Sequence, residues 1–477
     1  MKTEDLIQGL GELGWEVPPD SGPAKGNGGA DQEQECRPPA FSDESLALGF
    51  AEQYATRLRY VAKWSRWMVW NGKCWAEDAT LHAFNLARAI CRSAASKCNK
   101  GKIATMLASA KTVAAIERLA RADRRLAATV DQWDADPWLL NTPDGTFNLR
   151  TGERYQSRAS DYITQSTAVA PSGGCPLWLK FLARVTNGDR ALQDYIQRLL
   201  GYALTGLTIE HALFFLYGTG ANGKSVLMST VAGILGSYHQ TAPIETFTAS
   251  TTDRHPTELA GLRAARLVTA VETEEGRRWA ESKIKMLTGG DKISARFMRQ
   301  DFFEFTPQFK LVIAGNHKPG LRSVDEAIRR RFNLLPFTVT IPPDQRDLTL
   351  AEKLKDEWPG ILQWMIDGCI EWQERKLAPP ESVTTATAAY LESEDAIAAW
   401  IDDCAERDPN AWESSDGLFA SWMTWANKTG EYVGSQKRFV QALETRGLTF
   451  SRRNKGRGLL GLSLRPVYYS DNTDRPF

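Results

Sequence analysis

The sequence predicts a multidomain α/β protein with a nucleotide-binding core, a mainly helical domain before it and a winged helix after it. Three observations support this fold class. A glycine-rich loop lies between an apolar run and a helix-compatible stretch, apolar strands alternate with helical segments over 208–342, and the C-terminal part combines helices with a basic hairpin. At 477 residues the chain has room for about three domains.

The composition is that of an ordinary globular protein, with 42% hydrophobic and 24% charged residues. The 58 basic and 58 acidic residues balance, so only a local excess of charge can indicate a partner. The seven cysteines form no C-x-x-C pair, which argues against a zinc site or a disulfide framework and predicts a cytoplasmic location. No apolar run has the length of a membrane span, so we expect no membrane contact.

Residues 1–41 are predicted to be an N-terminal segment and flexible linker, with a short amphipathic helix at 3–15 before a Pro- and Gly-rich stretch. Residues 42–207 are predicted to form a mainly helical domain with a small β element. Ser42 or Asp43 is expected to cap its first helix, and two strands are expected to flank the Asn71-Gly72 turn.

Residues 208–394 form the predicted nucleotide domain. Its glycine-rich loop fits the phosphate-binding pattern G-x-x-x-x-G-K-[ST], and it has the required strand before it and helix after it. Such a loop points backbone N–H groups at phosphate oxygens, while its lysine reaches the β- and γ-phosphates and its hydroxyl holds Mg²⁺. The predicted cofactors are therefore ATP and Mg²⁺, bound by Gly218, Thr219, Gly220, Ala221, Asn222, Gly223, Lys224 and Ser225.

Polar residues follow the next two strands of this domain. Glu272 ends the apolar run that begins at Arg266, and Glu274 points the same way in an extended chain. A carboxylate there can hold Mg²⁺ through water and polarise the attacking water, and Glu272 is preferred because it is at the strand end. Asn316 follows the third strand, 310–314, where its amide can orient that water.

Three adjacent arginines, 329–331, follow Asp325 and Glu326. Because like charges repel at short range, the cluster is favoured if one arginine reaches the γ-phosphate bound by a neighbouring subunit, as an arginine finger. The alternative is salt bridging with Asp325 and Glu326 at helical spacing, which we expect of one or two of the three.

Two basic segments predict contact with nucleic acid. Residues 293–298 and 302–305 are expected to pair as a hairpin whose basic residues contact DNA and whose phenylalanines are packing. In the C-terminal domain, 395–477, residues 435–466 hold eight Lys/Arg against one acid, within a pattern of three helices and a two-stranded wing. A solvated basic surface or a contact to another subunit is the alternative for this domain. The predicted DNA contacts are Lys292, Arg296, Arg299, Lys437, Arg438, Arg452, Arg453, Lys455 and Arg457.

The order of these motifs resembles the superfamily 3 helicases, and within them the C-terminal helicase of phage and plasmid DNA primases, the family that includes the poxvirus-type primase-helicases. The resemblance covers about residues 42–466. The segments that carry it include WMVWNGKCW, DPWLLNTPDGTFNLRTGE, FLYGTGANGKS, RLVTAVETEEG, KMLTGGDKISARF, FEFTPQFKLVIAGNHKP and DEAIRRRFNLLPF.

The resemblance implies an AAA+-like core and roles for single residues. Glu272 matches the first Walker B acid, and the place of a second acid holds Thr273, for which Glu274 is the candidate to compensate. Asn316 matches the sensor. Arg331, directly before an aromatic residue, matches the arginine finger best, with Arg330 as runner-up.

The resemblance also implies a hexameric ring that moves 3′→5′ on single-stranded DNA and opens forked DNA. Larger family members carry a primase-polymerase domain in front, for which residues 1–41 have no room, so we expect a stand-alone helicase or a fragment with a separate primase or polymerase as partner. The expected function is an ATP-dependent helicase for replication of a phage, plasmid or other mobile element in a bacterial cell. The alternatives are a replication initiator or loader with little unwinding, and a P-loop ATPase of the unfoldase kind, against which the basic segments argue.

Overall fold

The computed structural model describes residues 38–249, 257–272, 277–297, 301–321, 324–444, 446–453 and 456–465. The predicted helix at 3–15 lies outside these ranges, as do Thr273, Glu274, Arg299 and Lys455. The helices are Asp43–Tyr54 (α1), His82–Ser96 (α2), Gly101–Leu107 (α3), Ala110–Ala120 (α4), Pro176–Val185 (α5), Arg190–Leu204 (α6), Lys224–Leu235 (α7), Thr257–Ala260 (α8), Glu281–Gly289 (α9), Glu326–Arg329 (α10), Leu350–Lys355 (α11), Trp358–Arg375 (α12), Glu381–Ser393 (α13), Ala396–Cys404 (α14), Ser415–Thr429 (α15) and Gln436–Glu444 (α16).

The strands are short except in the central sheet. They are Leu58–Val61 (β1), Arg66–Trp70 (β2), Trp75–Glu77 (β3), Leu139–Thr142 (β4), Gly145–Asn148 (β5), Glu153–Tyr155 (β6), Leu213–Tyr217 (β7), His239–Thr241 (β8), Leu267–Glu272 (β9), Ile293–Ala295 (β10), Phe303–Phe305 (β11), Lys310–Gly315 (β12), Phe332–Pro336 (β13), Ala405–Glu406 (β14), Trp412–Ser414 (β15), Thr449–Arg453 (β16), Gly456–Leu460 (β17) and Ser463–Leu464 (β18).

The first described lobe packs α1, α2 and α4 against the antiparallel sheet β1-β2-β3. The predicted cap of α1 is confirmed, since the Ser42 hydroxyl accepts a hydrogen bond from the backbone N–H of Ser45 at 3.1 Å. The predicted hairpin is also confirmed: Trp70 lies opposite Trp75, and the turn between them contains Gly72 at φ +95°.

The five-stranded central sheet has the order β13-β7-β12-β9-β8, and its strands are all parallel. Four of them correspond to the predicted strands, and β8 is an additional edge strand. Helices cover both faces, so successive side chains of β7 are buried on opposite sides: Phe214 and Leu216 in one apolar cluster, Leu213 and Phe215 in the other. This double burial explains why the strand sequences are continuous apolar runs.

The predicted domain boundary at 207 does not separate two cores. Residues of α5 and α6 belong to the same apolar cluster as β7, α7 and α12. A Cβ atom on Gly201 of α6 would lie 2.1 Å from the backbone nitrogen of Cys369 on α12, and one on Gly368 would lie 2.3 Å from the carbonyl oxygen of Gln197. The two helices therefore pack backbone to backbone, and α5 and α6 share one core with the central sheet.

The last described lobe contains α14, α15 and α16 with the sheet β15-β17-β16 and the pair β14-β18. It has its own core, in which the Phe439 ring lies 5.2 Å from that of Trp400 and 5.6 Å from that of Trp422. The three predicted helices and the two-stranded hairpin are present. The helix before this lobe, α13, ends at Ser393. In the part of the chain that the structure describes, no helix is long and apolar enough to span a membrane.

Candidate nucleotide and nucleic-acid sites

The predicted phosphate loop begins where three parallel strands end together. Tyr217, the last residue of β7, lies opposite Gly315 of β12, which in turn lies opposite Glu272 of β9. Gly218 directly follows β7, and Asn316 directly follows β12. The register therefore brings the loop, Asn316 and the backbone of Glu272 to one edge of the sheet, as the sequence predicts.

The glycines of the loop are required by its geometry. Gly220 and Gly223 have φ angles of +105° and +84°, which favour glycine. A Cβ atom on Gly218 would lie 2.1 Å from the carbonyl oxygen of Phe337 and 2.2 Å from Asn222 Nδ2, and one on Gly223 would lie 2.5 Å from Val185 Cγ1. Since side chains at these positions would fill or distort the cradle, the loop fits a group that approaches the backbone closely, as a phosphate does.

Lys224 is 6% exposed and is held by three oxygen atoms. Its Nζ donates to the carbonyl oxygen of Gly218 at 2.7 Å and to the Oδ1 atoms of Asn222 and Asn316, both at 3.1 Å. Burial lowers the pKa of this amine. All three acceptors are neutral, so the positive charge is hydrogen-bonded without being neutralised by them, and an anionic phosphate would interact with it more strongly.

The remaining predicted residues of the nucleotide site are positioned by the same strand ends. Asn316 and Ser225 are exposed, and Ser225 lies in the first turn of α7. Among the described residues no group of three or more His, Cys, Asp and Glu could hold a metal ion by itself.

Arg331 lies at the opposite edge of the sheet. It precedes β13, whose far end, Pro336, pairs with Tyr217, so about 17 Å of strand separates it from the loop. It is only 6% exposed, which lowers its pKa, and its guanidinium donates to Thr288 Oγ1 at 3.1 Å and to the carbonyl oxygen of Ala327 at 2.8 Å. Burial argues against the predicted preference for Arg331 as the arginine finger.

The neighbouring arginines are exposed. Arg329 donates to Asp395 Oδ2 at 3.2 Å, and Arg330 extends from the C-terminal end of α10. The predicted salt bridges of this cluster with Asp325 are not formed: Asp325 instead pairs with Lys285 at 2.5 Å and caps α10. Arg330, the runner-up, is therefore the arginine whose exposure suits contact with another subunit.

The predicted hairpin between the second and third core strands is present, with β10 paired to β11 in shorter strands than expected. Lys292 is exposed, and the Arg296 guanidinium lies 4.7 Å from the centre of the Phe302 ring. The prediction that the phenylalanines are packing holds for Phe303 and Phe305, which lie against the core. It is wrong for two rings beside the tip: Phe297 is 41% and Phe302 is 55% exposed.

The predicted DNA contacts of the C-terminal lobe that the structure describes are exposed on one helix and one hairpin. Lys437 and Arg438 lie on α16, and the described arginines of the hairpin lie on β16 and β17. Arg452 is directly opposite Arg457, an arrangement of like charges that costs stability unless an anion lies between or beside them. The Arg453 guanidinium lies 5.7 Å from the centre of the Trp412 ring. These exposed cations suit a phosphate backbone.

The sequence reasoning named Asn222 only as one of the loop residues, without its contacts, and it did not name Asp395 as a site residue. Asn222 occupies a variable position of the loop pattern, yet it accepts from Lys224 and donates to the carbonyl oxygen of Phe337 at 3.0 Å. Asp395 pairs with Arg329 and also with Arg446, one of the eight basic residues of the C-terminal segment, at 2.6 Å. The only signal for Asp395 in the sequence was its position before a predicted helix.

Comparisons with known proteins found two family matches and viral relatives. Residues 47–187 match the family "D5 N terminal like", and residues 216–331 match the "Family of unknown function (DUF5906)". A "Putative helicase L207/L206" of Acanthamoeba polyphaga mimivirus is 28% identical over 275 residues, which are 53% of this chain and 28% of that protein. A "Putative helicase 022R" of Frog virus 3 (isolate Goorha) is 25% identical over 329 residues, 64% of this chain and 32% of that protein.

The chain thus spans about a third or less of the length of these viral relatives. A solved structure of the NrS-1 C-terminal region has a TM-score of 0.48 and 10% sequence identity, covering 87% of this chain and 98% of that one. The first family match runs from within α1 to the end of α5. The second runs from the end of β7 to Arg331, directly before β13. These two matches in tandem and the viral helicase relatives support a phage or viral primase-helicase family for this chain.

Proposed function

We propose that this protein is an ATP-dependent DNA helicase that acts in replication of a phage, plasmid or other mobile element, in the cytoplasm of a bacterial cell. The observation that carries the proposal is the contact of Lys224 with Asn316, at 3.1 Å, across the ends of two adjacent parallel strands. It joins the cation of a phosphate loop to an amide that can orient water, which is the arrangement of a nucleotide-hydrolysing site. The viral helicase relatives and the two basic segments favour DNA as the partner.

In this proposal hydrolysis of ATP, bound together with Mg²⁺, drives movement of the protein along DNA. The loop backbone binds the phosphates, and Lys224 exchanges its neutral acceptors for phosphate oxygens. Ser225 and Glu272 would hold Mg²⁺, which would neutralise phosphate charge, with Glu274 as the second candidate acid. Asn316 lies beside Lys224 at the end of β12, so its amide, freed when Lys224 turns to the phosphates, would be placed to orient the attacking water.

We further propose an AAA+-like hexameric ring in which each site is completed by a neighbouring subunit. Arg330 would be the arginine finger, because it is exposed and lies far from the loop of its own chain. Arg331 would fix the turn behind it through Thr288. Mixing Arg330→Ala subunits with Lys224→Ala subunits should restore part of the ATPase activity, since mixed rings contain some sites with both residues. If no mixing ratio restores activity, Arg330 does not act on a neighbouring site.

DNA contact is assigned to two surfaces. Lys292, Arg296 and Arg299 would contact the single strand from the β10–β11 hairpin, and the C-terminal lobe, as a winged helix, would bind through its exposed cations. The forked DNA would therefore meet the protein at the core and at the C-terminal lobe. A replication initiator or loader with little unwinding is the second candidate, because the opposed Arg452 and Arg457 would also suit the anchoring of a duplex.

A strand-displacement assay on a forked duplex tests the proposal. The wild type should separate the strands with ATP and Mg²⁺, and Lys224→Ala should bind the fork without separating it. Lys353→Ala is the matched control, since this lysine is exposed, pairs with Asp347 and is not one of the proposed nucleotide or DNA contacts. If the wild type and Lys224→Ala bind the fork but unwind it equally poorly, the helicase proposal fails and the initiator remains.

A further inference from the structure

The junction between α13 and α14 contacts two segments of the proposed ATPase site. One is the segment that follows Asn316, and the other is the arginine cluster at 329–331. Near the end of α13, the Tyr390 hydroxyl donates to the carbonyl oxygen of Pro319 and accepts from Trp279 Nε1 at 2.9 Å. Glu394 Oε2 accepts from the backbone N–H of Leu321 at 2.8 Å. Pro319 and Leu321 belong to the segment that follows Asn316. The junction therefore holds the backbone between the sensor and the arginine cluster.

The next residue, Asp395, connects this junction to the C-terminal lobe. Its carboxylate is 7% exposed and accepts from Arg329 at 3.2 Å through Oδ2 and from Arg446 at 2.6 Å through Oδ1. Oδ1 also accepts from the backbone N–H of Ala398, which caps α14. One buried carboxylate thus joins three elements. If either arginine moved away, the negative charge of Asp395 would stay buried with only one positive partner, which costs stability.

Each arginine bound to Asp395 leads to a proposed functional surface. Arg329 is the residue before Arg330, the proposed finger. Arg446 donates to the carbonyl oxygen of Ala442 at 2.8 Å, in the last turn of α16, the helix that carries Lys437 and Arg438. A shift of α16 on binding DNA would therefore change the Arg446–Asp395 pair and, through the shared carboxylate, the position of Arg329.

We propose that Asp395 is a positioning residue that couples DNA binding at the C-terminal lobe to the arginine cluster of the ATPase core. The inference rests on the proposed function and adds a regulatory connection to it: DNA on α16 sets the geometry of the finger through the Arg446–Asp395–Arg329 ion triad. The ligand of the C-terminal lobe in this proposal is the phosphate backbone of DNA. The exposed cations of α16 and of the β16–β17 hairpin lie on this lobe and attract its negative charge.

The test compares ATP hydrolysis with and without a forked DNA in the full chain. Asp395→Asn keeps the shape of the side chain and its capping oxygen but removes the charge that both arginines share. Allosteric couplings of ordinary size correspond to a change of about 5- to 150-fold, so the ratio of kcat with DNA to kcat without DNA should fall by at least about fivefold. The loss should appear in kcat and leave the KM for ATP and the Kd for the fork close to wild-type values.

Matched variants separate coupling from general damage. Asp347→Asn removes an exposed carboxylate that pairs with Lys353 at 2.6 Å and should keep the ratio. Asp395→Glu, which restores the charge, should recover part of it. Arg446→Gln should lower the ratio as Asp395→Asn does, and the double variant should show no further loss, because the two residues act in one connection.

The failures are distinguishable. If forked DNA does not stimulate the wild type, the proposed function is at fault. If it stimulates the wild type and Asp395→Asn to the same degree, or if the losses of Asp395→Asn and Arg446→Gln add, the coupling is overturned while the helicase proposal stands. If Asp395→Asn lowers the Tm and reduces both rates in parallel, the residue only stabilises the fold and the inference is overturned.

Discussion

Replacing Arg331 by methionine should destabilise the protein, whereas the same change at Arg330 should not. Arg331 is 6% exposed and makes two hydrogen bonds from its charged group, to Thr288 Oγ1 and to the carbonyl oxygen of Ala327. A hydrogen bond to a charged group contributes about 1.5–3 kcal/mol, and part of this is offset by the cost of burying the guanidinium. The Thr288 hydroxyl keeps its own bond to the carbonyl oxygen of Ile284 at 2.7 Å, so only Ala327 loses a partner.

The net expectation is a loss of about 2 kcal/mol, which for a unit of about 150–250 residues is a fall in Tm of about 4–8 °C. Differential scanning calorimetry measures it, with Arg330→Met as the matched control, since a change at an exposed position usually alters stability by less than about 0.5 kcal/mol. In the ATPase assay the order should reverse, with Arg330→Met losing activity at unchanged Tm. If Arg331→Met keeps the wild-type Tm and loses all ATPase activity, burial was the wrong criterion and Arg331 is the finger.

Three further predictions concern the loop, the basic hairpin and a half-buried histidine. Gly218→Ala should abolish binding of a fluorescent ATP analogue, because its Cβ would lie 2.1 Å from the Phe337 carbonyl oxygen. Gly49→Ala is the control and should bind the analogue normally, because a Cβ there would have nothing within 4 Å. Equal binding by both variants would contradict the cradle geometry. Arg452→Gln and Arg457→Gln should each reduce the slope of log Kd for duplex DNA against log salt by about 1, and unchanged slopes would point to a protein contact instead. Burial lowers the pKa of His239, which bonds Thr269 Oγ1 at 2.8 Å, so the unfolded chain binds the extra proton and stability falls as pH drops below about 6.5. The unfolding free energy of His239→Gln should depend less on pH than that of the wild type between about pH 7.5 and 5.5, and identical profiles would exclude this contribution.

The sequence predicted the features that local pattern determines. The apolar runs of β7, β9 and β12 and the glycines after β7 are sufficient to place Lys224, Glu272 and Asn316 at one sheet edge, because parallel strands end on the same side. The Ser42 cap was equally local. The C-terminal helices were predicted because each has an apolar face and a polar or glycine boundary.

What the sequence did not predict depends on contacts between distant segments. Arg330 and Arg331 are identical in type and adjacent, and only the packing of Thr288 against the turn makes one buried and the other exposed. The boundary at 207 failed because α6 is buried against both the sheet and α12, which a helical pattern alone cannot show. The three residues of β15 are too few for a period-2 pattern to be recognised.

The close approach of Gly201 and Gly368 has an evolutionary consequence. A larger residue at either position would separate α6 from α12, so a substitution at one cannot be compensated at the other without moving a helix. Relatives that keep this helix pair should therefore carry small residues at both positions together. Their joint loss in a relative would mark a chain in which the helical segment has changed its attachment to the central sheet.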